Sequence, residues 1–160
     1  MLIEPLTRRH DRSAFSCGVE ALDLYLKNFA RQHAKANISR TYVAAETKRI
    51  FGFYSLSMSG IQRDNLPETQ RTSLPNFPLP VARLARLAVD ALHQRQGIGE
   101  LLLADALHRC LKISTSIGML GVLVDAKDDH TGNWYERYEF VRLPDNRLTL
   151  WIPTAAIAKL

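Results

Sequence analysis

The 160-residue chain lacks any run of about 18 apolar residues, so no membrane-spanning helix is expected. Its opening residues, MLIEPLTRRHDRS, hold no apolar stretch of the kind a secretory leader requires, and the expected location is the cytoplasm. Cysteine is scarce: Cys17 and Cys110 lie far apart with no paired spacing, which argues against a disulfide framework or a zinc site and fits a reducing compartment. No metal is expected. Internal repeats and low-complexity segments are also missing. Acidic residues are absent from Leu24 to Ala45, where Lys27, Arg31, Lys35 and Arg40 are all basic. With a net charge of +5 and a pI near 9.5, that gap points to an anionic partner.

What is present suits one domain over residues 1–160, large enough to bury a core without staples. Residues 2–7 read as a short strand. A turn at Ser16–Gly18 leads into a helix over 19–36, with Leu22, Tyr25, Leu26 and Phe29 on its apolar side. On that helix Lys27, Arg31 and Lys35 are spaced four apart and share one face. This is either a solvated surface or a landing strip for a phosphate backbone. RTYVAAE and IFGFYSLSMSGI read as an antiparallel hairpin. Pro67, Pro75, Pro78 and Pro80 break residues 62–80 into a long loop, and a loop of that length is more often functional than idle.

VARLARLAVDAL then reads as an interior strand, residues 99–114 as a helix striped by Leu102, Ala106, Cys110 and Ile113, and GMLGVLVDAK as a buried strand. A short helix in DDHTGNWYERY, capped by an aspartate, precedes the strands EFVRLP and RLTLWIP. The strand–helix–strand unit 81–126 predicts one parallel pair with a right-handed crossover, and the remaining pairs read as antiparallel. The fold class is α/β: a central mixed, mostly antiparallel sheet with helices on both faces.

Between strand and helix lies HQRQGIGELL, residues 93–102. The first N–H groups of a helix have no internal partner, and its dipole is positive there. Gly97 and Gly99 let the backbone approach an anion closely, and Arg95 adds charge. Such a turn suits a pyrophosphate. It lacks the Gly-Lys-Ser/Thr of a P-loop and the first glycine of a Rossmann fingerprint.

The remaining pattern, Gln94-x-x-Gly97-x-Gly99, resembles the pyrophosphate loop of the GCN5-related N-acetyltransferases (GNAT), which bind acetyl-coenzyme A. The resemblance implies that Gln94, Arg95, Gln96, Gly97, Ile98, Gly99 and Glu100 hold the diphosphate. It implies that the strand Leu87-Ala88-Val89 pairs with the pantetheine arm, and that Asn133 contacts the cofactor. Tyr135 matches the family tyrosine whose hydroxyl protonates the departing thiolate. The family usually carries glycine before the phenylalanine of Y-x-x-x-G-F; here Glu139 precedes Phe140, which would cost about 1–2 kcal/mol if that residue needs a positive φ.

Phe15-Ser16-Cys17-Gly18, with Leu22-Asp23 and Tyr25-Leu26, and Arg86-Leu87-Ala88-Val89-Asp90 extend the likeness further. They resemble the acetyltransferase toxins of bacterial toxin–antitoxin pairs over about Leu6 to Leu150. That resemblance implies acetylation of the α-amine of aminoacyl-tRNA, a block on translation, a ribbon-helix-helix antitoxin and a homodimer. The residue chemistry agrees. An α-amine, with a pKa of about 7.7–8.0, is partly neutral near pH 7, whereas a lysine amine at about 10.4 needs a base. Asp90 and Asp125 are the candidate carboxylates, but neither is assigned as a base. The resemblance implies Tyr135 as the general acid, with backbone donors at Leu87–Val89 placed to polarise the acetyl carbonyl.

Arg83 and Arg86 are candidates for an acceptor-end phosphate, depending on the strand's pleat, with Lys27, Arg31, Lys35 and Arg40 further out. His10, His33, His93, His108 and His130 show no ligand spacing and read as surface residues, His93 with a further option of assisting the loop. Cys17 and Cys110 read as structural, so the amine attacks directly with no acyl-enzyme. Two alternatives stay open at this point: acetylation of a protein N-terminus or a small-molecule amine, and a non-catalytic module that binds RNA or an antitoxin.

Overall fold

The computed structural model describes residues 1–160. Its strands are β1 (Leu2–Pro5), β2 (Arg40–Glu46), β3 (Arg49–Ile61), β4 (Leu79–Val89), β5 (Gly121–Asp125), β6 (Val141–Arg142) and β7 (Thr149–Pro153). They form one sheet in the order β1-β2-β3-β4-β5-β7-β6. The helices are α1 (Glu20–Leu24), α2 (Ala30–Lys35), α3 (Ile98–Ser114), α4 (Asp129–Glu136) and α5 (Thr154–Ile157). β4 and β5 run parallel, while β1–β2, β2–β3, β5–β7 and β6–β7 are antiparallel, so the mixed sheet is as the sequence implies. The chain condenses into two compact units: residues 1–57 with 85–106, and residues 58–84 with 107–160.

In the first unit β2 and β3 form a hairpin closed at Glu46↔Arg49, with Thr47 in the left-handed region at φ 55°. The register slips at Ala44/Ala45, where Ala44 faces Gly52 but Ala45 faces Ile50. One sheet face meets α1 and α2 through Phe15, Tyr25, Leu26, Ala30, Val43 and Phe53. On the opposite face a side chain at Gly52 would strike Leu102 and Ile98 of α3, at 2.8 and 3.3 Å. Helices therefore cover both faces of this unit.

The first helix is not uniform. A π-helical turn, Tyr25–Phe29, separates α1 from α2. The extra residue in that turn carries Ala30 into the core, wholly buried, and leaves Phe29 47% exposed, contrary to the uninterrupted spacing expected from the sequence. It also breaks the strict four-residue ladder of Lys27, Arg31 and Lys35. His10 is not a surface residue either. It is buried, its Nδ1 accepts the Thr7 N–H at 3.0 Å, and its Nε2 donates to Glu4 at 2.7 Å.

In the second unit the β4–β5 register runs from Val81↔Gly121 to Leu84↔Val124, while β4 itself continues to Val89. The loop expected at 62–80 contains two short 3-10 turns and sends Leu66, fully buried, and Leu74 onto Ile61, Leu79, Val81, Leu123 and Trp151. This apolar patch is a satellite core under a long loop. The N-cap of α4 is Asp128, whose carboxylate accepts the Thr131 N–H at 2.8 Å, as the sequence suggests. Ile113, expected in the α3 stripe, is 40% exposed near the helix end, whereas Leu102, Ala106 and Cys110 are buried.

Candidate active site

The anion loop is built by β4 running into α3. After Val89 the chain makes a 3-10 turn, Ala91–His93, and residues 94–97 are exposed. Arg95 and Gly97 both take positive φ, at 63° and 83°. Left-handed residues curl backbone N–H groups into a concavity suited to anions. A side chain on Gly97 would meet nothing within 4 Å, so the space above the loop is open. α3 follows for 17 residues, with Ile98 anchored in the core and its first-turn N–H groups at the loop. The residues present therefore fit a diphosphate. Arg95 holds its left-handed conformation without being glycine, a strain of about 1–2 kcal/mol typical of ligand-binding turns.

What holds this loop was not legible from its own sequence. Asp90, 6% exposed, accepts hydrogen bonds from Ser16 N at 3.2 Å and Leu92 N at 3.3 Å, and pairs with His93 Nδ1 at 3.1 Å. Burial pushes its carboxyl up, but these donors together hold it below its ordinary value. Ala91 N donates to Ser16 O at 2.7 Å, and Gln94 Nε2 donates to Cys17 O and Val89 O, at 3.3 and 3.1 Å. Asp23 in turn accepts the Cys17 N–H at 2.9 Å. The Phe15-Ser16-Cys17-Gly18 turn is thus a buttress for a loop some 75 residues later. The Gln94 side chain is spent on that brace, and Val89 O already has a donor. His93 stands edge-on to Phe51, with ring centroids 4.5 Å apart. Leu87 and Val89 are half-buried and Ala88 is buried.

Tyr135 belongs to the second unit. It lies on α4, 3% exposed, edge-on to Phe140 and Trp134 at 5.4 and 5.0 Å. Burial, with a smaller contribution from the Asp125 charge, pushes its phenol far above the ordinary tyrosine value, so it stays protonated. Asp125 accepts from Arg83 Nη1 with both oxygens at 2.7 Å. Neither Asp90 nor Asp125 is an uncommitted carboxylate.

α4 is itself strapped by Arg142 of β6, a residue that no motif or spacing marks out. Its guanidinium donates to Asp129 Oδ1 and O, Asn133 Oδ1, Glu136 Oε1 and Arg147 O, at 2.8–3.2 Å. It lies against Gly132, where a Cβ would come within 2.5 Å. The Asn133 side chain is therefore engaged by Arg142. Glu139, which ends this segment, has φ 73°, the conformation for which glycine is suited.

The basic candidates disperse. Arg40 caps α2, donating to Ala34 O and Asn37 Oδ1, both at 2.6 Å. Arg86 lies over the Tyr25 ring at 3.6 Å. Arg83 pairs with Asp125. Lys27 and Arg31 are half-buried and Lys35 is exposed. Both thiols are buried, which raises each to about 11, assisted at Cys17 by the Asp23 side chain. Neither is a thiolate near pH 7.

The Acetyltransferase (GNAT) domain family matches residues 37–142. The tRNA-acetylating toxin of Mycobacterium tuberculosis is 35% identical over 142 residues, 89% of this chain and 85% of that protein. Among solved structures, AtaT complexed with acetyl-methionyl-tRNAfMet superposes with a TM-score of 0.91 at 30% identity, covering 99% of this chain and 97% of that one. A tyrosine-to-phenylalanine mutant of AtaT, bound to the C-terminus of the antitoxin AtaR and acetyl-CoA, gives 0.84 at 28% identity, covering 99% and 96%. Read with the loop and the buried phenol, these matches make one statement: the chain belongs to the GNAT acetyltransferases and is an acetyl-CoA-dependent enzyme.

Proposed function

We propose that the enzyme moves acetyl from acetyl-coenzyme A to the α-amine of aminoacyl-tRNA, that this blocks translation, and that a cognate antitoxin neutralises it. The observation that carries the reading is the commitment of both strand-end carboxylates, Asp90 to its loop and Asp125 to Arg83. A site whose acids are spent suits an amine that is already partly neutral near pH 7. The relatives named as tRNA-acetylating toxin and as AtaT with acetyl-methionyl-tRNA support the same substrate.

In this reading residues 94–100 bind the diphosphate through backbone N–H groups, with Arg95 as added charge, and Leu87–Val89 lie along the pantetheine arm. Acetyl-coenzyme A supplies an activated acetyl thioester. Leu87–Val89 N–H groups polarise its carbonyl. As the amine nitrogen bonds directly to the acetyl carbon and the C–S bond breaks, Tyr135 Oη would give its proton to the leaving sulfur, the nitrogen would lose one proton to solvent, and solvent would reprotonate the phenol. The raised thiols of Cys17 and Cys110 favour this over an acyl-enzyme. Lys27, Arg31 and Lys35 remain the candidate tRNA contacts, and Arg40, Arg83 and Arg86 contribute only by giving up their present partners. The finer points of the proposal are one catalytic domain over 1–160, a ribbon-helix-helix antitoxin, a homodimer and a cytoplasmic location; no helix is long and apolar enough to cross a membrane.

The test is transfer of radiolabelled acetyl to total charged tRNA and to the same tRNA after deacylation. Label confined to the charged pool, and lost on mild alkaline hydrolysis of the ester, is expected. Equal label on both pools rejects the α-amine as acceptor.

A further inference from the structure

The π-helical turn Tyr25–Phe29 leaves the Phe29 ring 47% exposed on a stretch, Leu24 to Ala45, that holds no acidic residue. Lys27, Arg31 and Lys35 on that stretch are in no ion pair, whereas Arg40, Arg83 and Arg86 are all engaged. We infer that Phe29 is a stacking platform for an unpaired base at the acceptor end of the RNA, with Lys27, Arg31 and Lys35 as phosphate contacts along the same helical segment. The inference rests on the aminoacyl-tRNA reading above and adds to it the residue that receives the single-stranded part of the nucleic acid.

Three observations lead there. First, the ring is held in place. Phe29 tilts against His33 with centroids 6.1 Å apart, His33 meets the Tyr25 ring at 5.4 Å, and Tyr25 is buried with its hydroxyl 2.7 Å from Ser39 Oγ. A preordered ring loses little freedom when a base lands on it. Second, this row of rings leads to the cofactor strand. Arg86 lies 3.6 Å from the Tyr25 centroid, and the next residue, Leu87, begins the segment proposed to lie along the pantetheine arm. Third, the π turn forgoes burial. An uninterrupted helix would turn Phe29 inward with Tyr25 and Leu26, where an apolar ring is favoured. Instead the ring faces solvent, and Arg12 Nη1 donates to Lys27 O within the distorted turn at 2.9 Å. Such turns are frequent at functional sites.

Chemistry then decides the occupant. Every base has a π-face that stacks on an aromatic ring whatever its identity, and each nucleotide brings a phosphate for the unpaired cations. An acidic peptide would satisfy the cations but offers no planar group to the ring. A second copy of this chain meeting the stretch isologously would set the same positive charges against each other.

The experiment measures kcat and KM on total charged tRNA for the full chain and for Phe29→Ala, Phe29→Leu and Phe29→Trp, with acetyl-coenzyme A affinity by calorimetry as the check on folding. Loss of one base–aromatic contact should raise KM for charged tRNA about tenfold in both the alanine and the leucine variant, while kcat and cofactor affinity hold. Tryptophan should restore the wild-type KM. Phe29→Trp also reports on the contact directly: deacylated tRNA should quench its indole emission beyond that of the wild-type chain, and the same tRNA trimmed of its unpaired 3′ nucleotides should not. A KM unchanged in Phe29→Ala overturns the inference. So does a KM raised by alanine but restored by leucine, which would make Phe29 an apolar contact for a protein partner. Equal quenching by trimmed and intact RNA overturns it as well. All three results leave the aminoacyl-tRNA reading intact, whereas transfer to no charged tRNA at all defeats both.

Discussion

Asp90→Asn tests whether the opening turn and the anion loop are one construction. The carboxylate is buried and accepts from Ser16 N, Leu92 N and His93 Nδ1 within 3.3 Å. Asparagine is nearly isosteric. It keeps one acceptor oxygen for Ser16 but turns an NH2 toward the Leu92 N–H and the imidazole. Two hydrogen bonds to a charged group are lost, each worth about 1.5–3 kcal/mol. Relief from burying a charge, and rotation of the exposed side of the His93 ring, offset part of this. A net loss of about 2–3 kcal/mol follows, or roughly 5–10 °C in Tm for a chain of this length. The loop should loosen with it, weakening acetyl-coenzyme A by about tenfold, equivalent to 1.4 kcal/mol.

The pH dependence gives a second handle. A carboxyl held low in the folded state contributes stability that is present above its unfolded value, about 3.9, and is lost as pH falls through the folded value. The gap between wild type and Asp90→Asn should therefore be steady from about pH 5 to 8 and close below about pH 4. Thermal unfolding by circular dichroism at pH 7.5 and 3.5, with calorimetric titration of acetyl-coenzyme A, reads all of this. A Tm within about 1 °C of wild type with unchanged cofactor affinity would refute the argument that this carboxylate fastens the loop.

The other consequences concern α4 and the acid. Tyr135→Phe should lower kcat by about 10²–10⁴-fold with cofactor affinity retained, and near wild-type turnover would remove the phenol from the chemistry. Because the phenol is held protonated, kcat/KM should rise to a plateau as the amine deprotonates, with no descending limb from Tyr135 below about pH 10; an alkaline fall centred near pH 9 contradicts that environment. Glu139→Gly relieves a left-handed residue and should raise Tm by about 2–4 °C, whereas a lowered Tm would mean the Glu139 side chain supplies more than its strain costs. Arg142→Ala leaves Asp129, Asn133 and Glu136 without their shared donor. It should cut kcat more than about tenfold while KM for acetyl-coenzyme A holds, with partial rescue by Arg142→Lys; equal losses in both parameters would make it a general folding residue.

The order of elements, the parallel pair and the glycine loop could all be read before any coordinates, because each rests on local physics. Alternation in RTYVAAE marks β2, Asp128 caps α4, and glycine at 97 accepts a conformation other residues resist. The likeness of the opening turn and the RLAVD strand to a toxin family was legible too, but not the reason for it. Ser16 and Asp90 lie 74 residues apart and meet only because the opening turn packs against the end of β4 in the first unit. The π turn that swaps Phe29 for Ala30 has no periodic signature, since one inserted residue looks the same as none in a spacing pattern. The partners of Arg40, Arg83, Arg86 and Arg142 were equally invisible: a side chain's charge is written in the sequence, but whether a phosphate or a neighbouring carboxylate takes it depends on distances that only the tertiary structure decides.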